Sequence, residues 1–438
     1  MPEIMAPAAP DLSLLAINLT RRCNLECAHC YLDAGILNRG DSDELSTAEV
    51  KSLLDDVAAL DAGTLIVLTG GEPLLRRDLE SIVRHGVEQG LPVVIGTNAM
   101  MLSERRLRSL KDAGVLGFGI SLDSLDPERH DRFRGRPGAW ARTMAGIDRC
   151  RRQGIDFQLH FSVTADNAHE LPSMAEFARS CGARAVNVFF LVCIGRANSL
   201  DALDSEEYER ILAELVQAQA DYPDLILRPR CAPHYKRIAH QLRPQSLVNR
   251  ISGRESDGCI AGVHYARVNY RGGVTACPYI EHEVGNVREV AFSDLWAKAE
   301  DFSRLRNPQL NGKCGACEYR LICGGCRARP LAAGDGLMDA DDLCGYQPRG
   351  RAVIEPVEKP AAVALAWSED ARLRLSRVPE FLRQMVKKRA EAYVAELGEH
   401  RVTCQHLSDL TAARFSSAKM IRFESKRMPV SRPMTGKA

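Results

Sequence analysis

In the segment NLTRRCNLECAHCYLDA, Cys23, Cys27 and Cys30 stand at C-x3-C-x2-C spacing, directly after the apolar run LLAINL at 14–19. Three thiolates on one tight loop can ligate three irons of a 4Fe-4S cluster and leave the fourth iron without a protein ligand. A pure electron carrier normally fills all four positions, so an open iron points to chemistry at the cluster. The same thiols could instead form a zinc loop, or three corners of a cluster completed from elsewhere.

A second set lies further along: Cys259, Cys277, Cys314, Cys317, Cys323, Cys326 and Cys344. Their spacing is C-x12-G-x4-C, then C-x2-C-x5-C-x2-C-x17-C. Paired C-x2-C units suit zinc as well as iron–sulfur clusters. The other five of the fifteen cysteines, Cys150, Cys181, Cys193, Cys231 and Cys404, show no ligand spacing. Cys150 and Cys181 fall on helical segments and read as small core residues. The eleven histidines form no H-x-x-H set, and His130, His160 and His234 read more simply as core or surface groups than as cavity groups.

These groups need a scaffold. A chain of 438 residues, 45% hydrophobic and 26% charged, predicts two or three folded domains. Its 58 basic and 57 acidic residues nearly cancel, which removes a global electrostatic case for nucleic acid. The N-terminus lacks a basic n-region, and no run approaches about 18 apolar residues. The expectation is a cytoplasmic protein with no membrane span, whose clustered thiols stay reduced.

From 14 to 222, strands alternate with helices. Apolar strands fall at 14–19, 64–70, 92–98, 117–124, 157–164 and 184–192, with helices between them and a longer one at 205–221. Six β/α units in series predict an α/β fold, a closed or partly open barrel. Its chemistry then belongs at the C-terminal ends of the strands. From 231 to 346, glycines and cysteines replace long helices, as where metal ligands substitute for an apolar core. Residues 347–363 read as a Pro-rich, charged linker. A small helical domain follows at 364–415, with Phe381, Leu382, Met385, Val386, Tyr393, Val394 and Leu397 recurring at near-four spacing between Pro379 and Gly398. The basic stretch 416–438 reads as a mobile tail.

The cysteine loop with the strand-end motifs resembles the radical S-adenosylmethionine (SAM) superfamily. Gly70, Gly71, Glu72 and Pro73 match its amino-group-binding motif, although a tight strand-to-helix turn would read the same way alone. Asn98 matches a further family position, with Ala99 where glycine is usual; Ser121 and Asp123 match those that hold the ribose, and CIGRAN (193–198) the segment that packs on adenine. The resemblance implies reductive cleavage of SAM to methionine and a 5′-deoxyadenosyl radical. The seven later cysteines resemble the SPASM extension, here a variant with x2 in Cys323-Gly-Gly-Cys326. Family ligation would give Cys314, Cys317, Cys323 and Cys344 to one auxiliary cluster and leave Cys259, Cys277 and Cys326 for another. That second cluster has an open iron, recruits Cys231 or a non-cysteine ligand, or is absent.

The segments around these cysteines resemble SPASM enzymes that modify tetrapyrroles in d-type heme formation and in the siroheme-based heme route. WSEDARLRLSRVPEFLRQMVKKRAEAYVAELGEHRVT resembles the C-terminal domain of the B subunit of light-independent protochlorophyllide reductase. The fold expected is thus a partial (β/α)6 radical SAM barrel, a Cys-rich SPASM extension and a small helical C-terminal domain. The resemblance implies a tetrapyrrole substrate and a small flavodoxin- or ferredoxin-type electron donor. Arg134, Arg136, Arg196, Arg327 or Arg329 could hold substrate carboxylates. A SPASM peptide or protein maturase, or a non-enzymatic iron–sulfur electron carrier, are the alternatives.

Overall fold

The computed structural model describes residues 11–35, 43–200, 203–222, 224–244, 258–356, 365–376, 386–387, 390–391, 393–394, 397 and 399–409. It divides into two compact units, residues 1–359 and 360–438.

The first apolar run folds as β1 (Leu14–Asn18), and the next five follow as β2 (Leu65–Thr69), β3 (Val93–Thr97), β4 (Gly117–Ser121), β5 (Phe157–Val163) and β6 (Ala185–Phe190). They pair parallel in chain order. The connecting helices are α1 (Thr47–Asp61), α2 (Leu79–Glu88), α3 (Glu104–Asp112), α4 (Pro127–Arg134), α5 (Ala139–Arg152), α6 (Leu171–Cys181) and α7 (Ser205–Ala218). Ser46 caps α1 with a reciprocal capping box through Glu49. The helix turns Val50, Leu53, Leu54 and Val57 into the core.

Two corrections follow from the sheet. It has ten strands in the order β10-β9-β8-β1-β2-β3-β4-β5-β6-β7. β7 (Ile226–Arg230) adds a seventh parallel strand after β6, in a stretch whose Pro229 and two arginines disguise it. Proline is tolerated there because β7 is an edge strand. At the other side, β8 (Tyr265–Val268) comes from the Cys-rich segment and pairs parallel with β1. β9 (Gly273–Thr275) and β10 (Gly285–Asn286) continue it antiparallel. The cysteine extension therefore shares the barrel's sheet and its compact unit. It carries α8 (His234–Leu242), α9 (Phe292–Lys298), α10 (Glu300–Arg306), α11 (Gly312–Ala316) and α12 (Ala328–Ala333).

The strands bury one face completely. On β5, Phe157, Leu159, Phe161 and Val163 are at most 3% exposed against the helices, while Gln158 and His160 on the other face stay half-buried. Val67, Thr69, Val94, Gly119, Ser121, Phe189, Arg228 and Arg230 are half-buried likewise. Alternation of this kind marks an inner face lining a lumen.

The second unit adds to the helical expectation a short parallel pair, β11 (Ala366–Trp367) with β12 (Arg401–Val402), beside α13 (Glu369–Ser376). Trp367, Ala371, Ala390, Val394, Val402 and Leu407 form its core, with Val386 and Cys404 packed against it. Pro379, Phe381, Leu382, Met385, Gly398, residues 357–363 of the linker and the 416–438 tail lie outside the described residues. Among the described residues no helix is long and apolar enough to cross a membrane.

Candidate active site

The loop after β1 brings its three cysteines around one small cluster. Leu25, Cys27 and Ala139 form its buried centre, and Cys23, Cys30 and Met100 pack on it. All fifteen cysteines are free thiols. Burial, then the Glu72 carboxylate and the Cys27 thiol, push Cys23 up to about 12. Burial raises Cys27 too, opposed by Arg134, whose Nη1 donates to its sulfur at 3.6 Å. A guanidinium aimed at a buried sulfur suits a thiolate, the form in which cysteine binds iron. The donor set thus fits a cluster. Among the described residues no three His, Cys, Asp or Glu side chains converge tightly enough for a single metal ion.

The motif after β2 packs directly on that loop. Gly71 N donates to Thr20 O at 2.7 Å and Glu72 N to Arg22 O at 2.8 Å, extending the β1–β2 ladder past both strands. A Cβ on Gly71 would lie 2.1 Å from Arg22 O, so only glycine permits this approach. The Glu72 carboxylate is fully buried and accepts from Leu74 N, Thr97 Oγ1 and Asn98 N at 3.1, 2.8 and 2.9 Å. Glu72 therefore ties the ends of β2 and β3 together, and Gly70 and Gly71 beside it are half-buried. Pro73 begins the short turn that follows.

Asn98 donates from Nδ2 to Asn24 Oδ1 at 2.7 Å, linking the β3 end to the cysteine loop. Ala99 adopts φ 61°, the left-handed conformation that glycine favours. Gly146 on α5 makes room for it: a Cβ there would meet Ala99 O at 2.6 Å.

Ser121 ends β4, half-buried on the inner face. Asp123 does not share that setting. Its carboxylate is 1% exposed, paired with Arg134, and accepts from Ser162 N at 2.8 Å. Burial pushes its pKa up, yet Arg134, His29, His130 and the Ser162 N–H hold it below the usual carboxylate range. Asp123 supports the cysteine loop through Arg134. Helix α4, which carries Arg134, adds to the helices expected; Asp126 caps it, Pro127 opens it and Gly135 closes it. His130 is a satisfied core group whose Nδ1 accepts from Asp123 N.

CIGRAN lies against the same loop. Arg196 donates to Cys27 O, Ala34 O and Asp33 at 2.9, 2.8 and 2.7 Å. Each of the five arginines singled out from the sequence is similarly committed: Arg134 to Asp123, Arg136 to Asn24 O, Arg327 to the carbonyls of Leu337 and Asp339, and Arg329 to Asp341.

The later cysteines separate into two groups. Cys314, Cys317, Cys323 and Cys344 line one small cavity with Arg237 and Lys313. Cys259, Cys277 and Cys326 gather elsewhere, and Cys231 joins them. Cys231 follows β7 as Cys23 follows β1, turning back with φ 58°. Arg329 donates to Cys231 O and to Asp341 Oδ2, and Asp341 Oδ2 also accepts from Cys326 N at 2.8 Å. Burial, then the thiols of Cys231, Cys259 and Cys326, push Cys277 well up. Cys231, which shows no ligand spacing in the sequence, reaches these thiols because the strand ILRPR directly precedes it. The rings of Tyr31 and Tyr279 meet edge-on at 5.6 Å, joining the first cysteine loop to the segment after Cys277.

Comparison with known proteins agrees with this layout. Family models match over residues 17–178 (Radical SAM superfamily), 259–318 (SPASM, iron-sulfur cluster-binding domain) and 367–410 (Proto-chlorophyllide reductase 57 kD subunit). The AdoMet-dependent heme synthase of Methanosarcina barkeri is 38% identical over 341 residues, covering 76% of this chain and 97% of that protein. The AdoMet-dependent heme synthase of Oleidesulfovibrio alaskensis is 35% identical over 370 residues, covering 83% and 92%. In fold, the chain is similar to Streptococcus suis SuiB bound to S-adenosylmethionine, with a TM-score of 0.62, 16% identity, and 77% and 78% of the two chains covered.

Proposed function

The chain belongs to the radical SAM/SPASM family, and on that premise we propose that it is an AdoMet-dependent heme synthase acting on acetate or propionate side chains of a didecarboxylated siroheme. The observation that carries this reading is the 38% identity over nearly the whole of a heme synthase. The three-thiol loop at the β1 end supplies the matching chemistry.

In this reading Cys23, Cys27 and Cys30 hold a 4Fe-4S cluster with an open iron, and SAM binds beside it. When bound, cluster and SAM would supply reductive cleavage of the sulfonium and with it hydrogen abstraction from the substrate. The chain's own residues do the positioning. The Gly70 and Gly71 carbonyls receive the ammonium of SAM, and Ser121 offers a hydroxyl at the end of β4. Asn98 and Glu72 lock the β2 and β3 ends against the cysteine loop. Arg134 balances the thiolate of Cys27, itself neutralised by Asp123.

Two auxiliary clusters complete the protein in this reading. Cys314, Cys317, Cys323 and Cys344 hold one, and Cys231, Cys259, Cys277 and Cys326 hold the other, so each has four thiolates. Closed ligand sets suit electron transfer to or from the product rather than substrate binding. A flavodoxin- or ferredoxin-type donor supplies the electron, and the free thiols suit the cytoplasm.

Anaerobic incubation of the reconstituted, reduced protein with SAM and didecarboxysiroheme tests the reading by mass spectrometry. Formation of 5′-deoxyadenosine together with a changed tetrapyrrole mass is the expected outcome. SAM cleavage with the tetrapyrrole unchanged would favour a peptide or protein maturase. Absence of 5′-deoxyadenosine would leave an electron carrier.

A further inference from the structure

Strand β7 carries Arg228 and Arg230 two residues apart, hence on one face of the sheet. They stand opposite Asn187 and Phe189 of β6, and Asn187 in turn stands opposite His160 of β5, so both belong to the half-buried inner face. Arg230 Nε donates to Asn187 Oδ1 at 3.1 Å, and Asn187 Nδ2 donates to Gln158 Oε1 at 2.8 Å. This chain pins one edge of the guanidinium, and among the described residues nothing else bonds to its two terminal nitrogens, which can form a fork.

Among the described residues no carboxylate pairs with either arginine, and burial lowers Arg228. The contrast with the rest of the site is sharp, since Arg134, Arg196 and Arg329 each meet an aspartate. Two adjacent guanidinium groups withdrawn from water without a counter-charge cost free energy that an incoming anion recovers. Planar forks of this kind match a carboxylate bidentately.

Their place in the lumen is equally specific. Arg230 closes β7 and directly precedes Cys231, where the chain turns back with φ 58°. The two arginines therefore stand on the inner face of the strand that leads into the Cys231 group.

We propose that Arg228 and Arg230 form a carboxylate-binding station on the lumen wall, holding an acetate or propionate side chain of the tetrapyrrole substrate. The station rests on the heme-synthase reading and adds to it the residues that anchor the substrate.

The test uses the full chain with its clusters, and replaces Arg228→Gln and Arg230→Gln singly and together. Didecarboxysiroheme binding is followed by its visible absorbance, with SAM binding and iron content measured in parallel. Each single change is expected to weaken tetrapyrrole binding roughly 10- to 100-fold, the range for a lost charged hydrogen bond. SAM affinity and iron content should stay at the wild-type level. The wild-type protein, with no substitution, should bind the fully methyl-esterified tetrapyrrole more weakly by a similar factor. Variants that bind the tetrapyrrole as the wild type does would overturn the station while leaving the heme-synthase reading intact. Loss of SAM binding in the same proportion would assign the pair to the SAM carboxylate and overturn it too. A wild-type protein that binds no tetrapyrrole would sink the functional reading, and the station with it.

Discussion

Arg134 donates to the sulfur of Cys27 at 3.6 Å, with the Asp123 carboxylate buried against its other arm. One helix end thus carries the charge that steadies a buried thiolate, and the carboxylate keeps that charge from standing alone. Asp123→Asn should cost about 3–5 kcal/mol of stability, because it strands a buried guanidinium. Thermal unfolding should show the loss, and iron content should fall with it. The pH dependence has a definite sign. Asp123 is held below its ordinary range, so its contribution is present above about pH 4 and disappears as pH falls through the depressed value. Asp123→Asn should flatten that acid limb.

Gly71→Ala should displace the cysteine loop, since the new Cβ would lie 2.1 Å from the Arg22 carbonyl oxygen. Backbone cannot yield as a side-chain tip can. The expected readout is a loss of about four irons per chain, with the auxiliary iron retained. Full iron content in the variant would refute this placement of the loop.

At the β3 end, Gly146→Ala should destabilise by about 1–3 kcal/mol, as overpacking does. Its Cβ would meet Ala99 O at 2.6 Å. Ala99→Gly should act oppositely, gaining up to about 1 kcal/mol by relieving φ 61°. Melting temperatures of the two variants check both signs.

Cys231→Ala should remove or alter one auxiliary cluster, lowering iron by about four per chain or changing its low-temperature electron paramagnetic resonance. Cys150→Ala is the control, because Cys150 is an ordinary buried core residue. Equal iron and identical spectra for both variants would exclude Cys231 as a ligand.

A chain ending at residue 359 should fold and keep its full iron content. Residues 1–359 form their own compact unit, and the second unit has a separate core around Trp367. Iron analysis and SAM cleavage by the truncated protein check this.

Much of the site is legible in the amino-acid sequence. C-x3-C-x2-C after an apolar strand and the glycine pair after the next are local patterns, dictated by neighbours in the chain. Helix α4 carries its own signals in Asp126, Pro127 and Gly135, yet its strongly polar face conceals the apolar periodicity by which a helix is recognised. Strand β7 hides behind Pro229 and two arginines, and with it the reason to connect Cys231 to the later cysteines.

By itself the amino-acid sequence determined the kind of chemistry, because ligand spacing and strand-end motifs are written within a few residues. Only the tertiary structure decided which like residues do which work. Arg134 and Arg329 are spent on aspartates, whereas Arg228 and Arg230 lie on the inner face and, among the described residues, pair with no carboxylate. Asp123, which the family resemblance matches to a ribose-holding position, is buried and paired with Arg134. The reason is physical: a side chain's charge partner is set by packing between distant segments. Arg329 and Cys231, 98 residues apart, meet only once β7 and the cysteine extension share one unit.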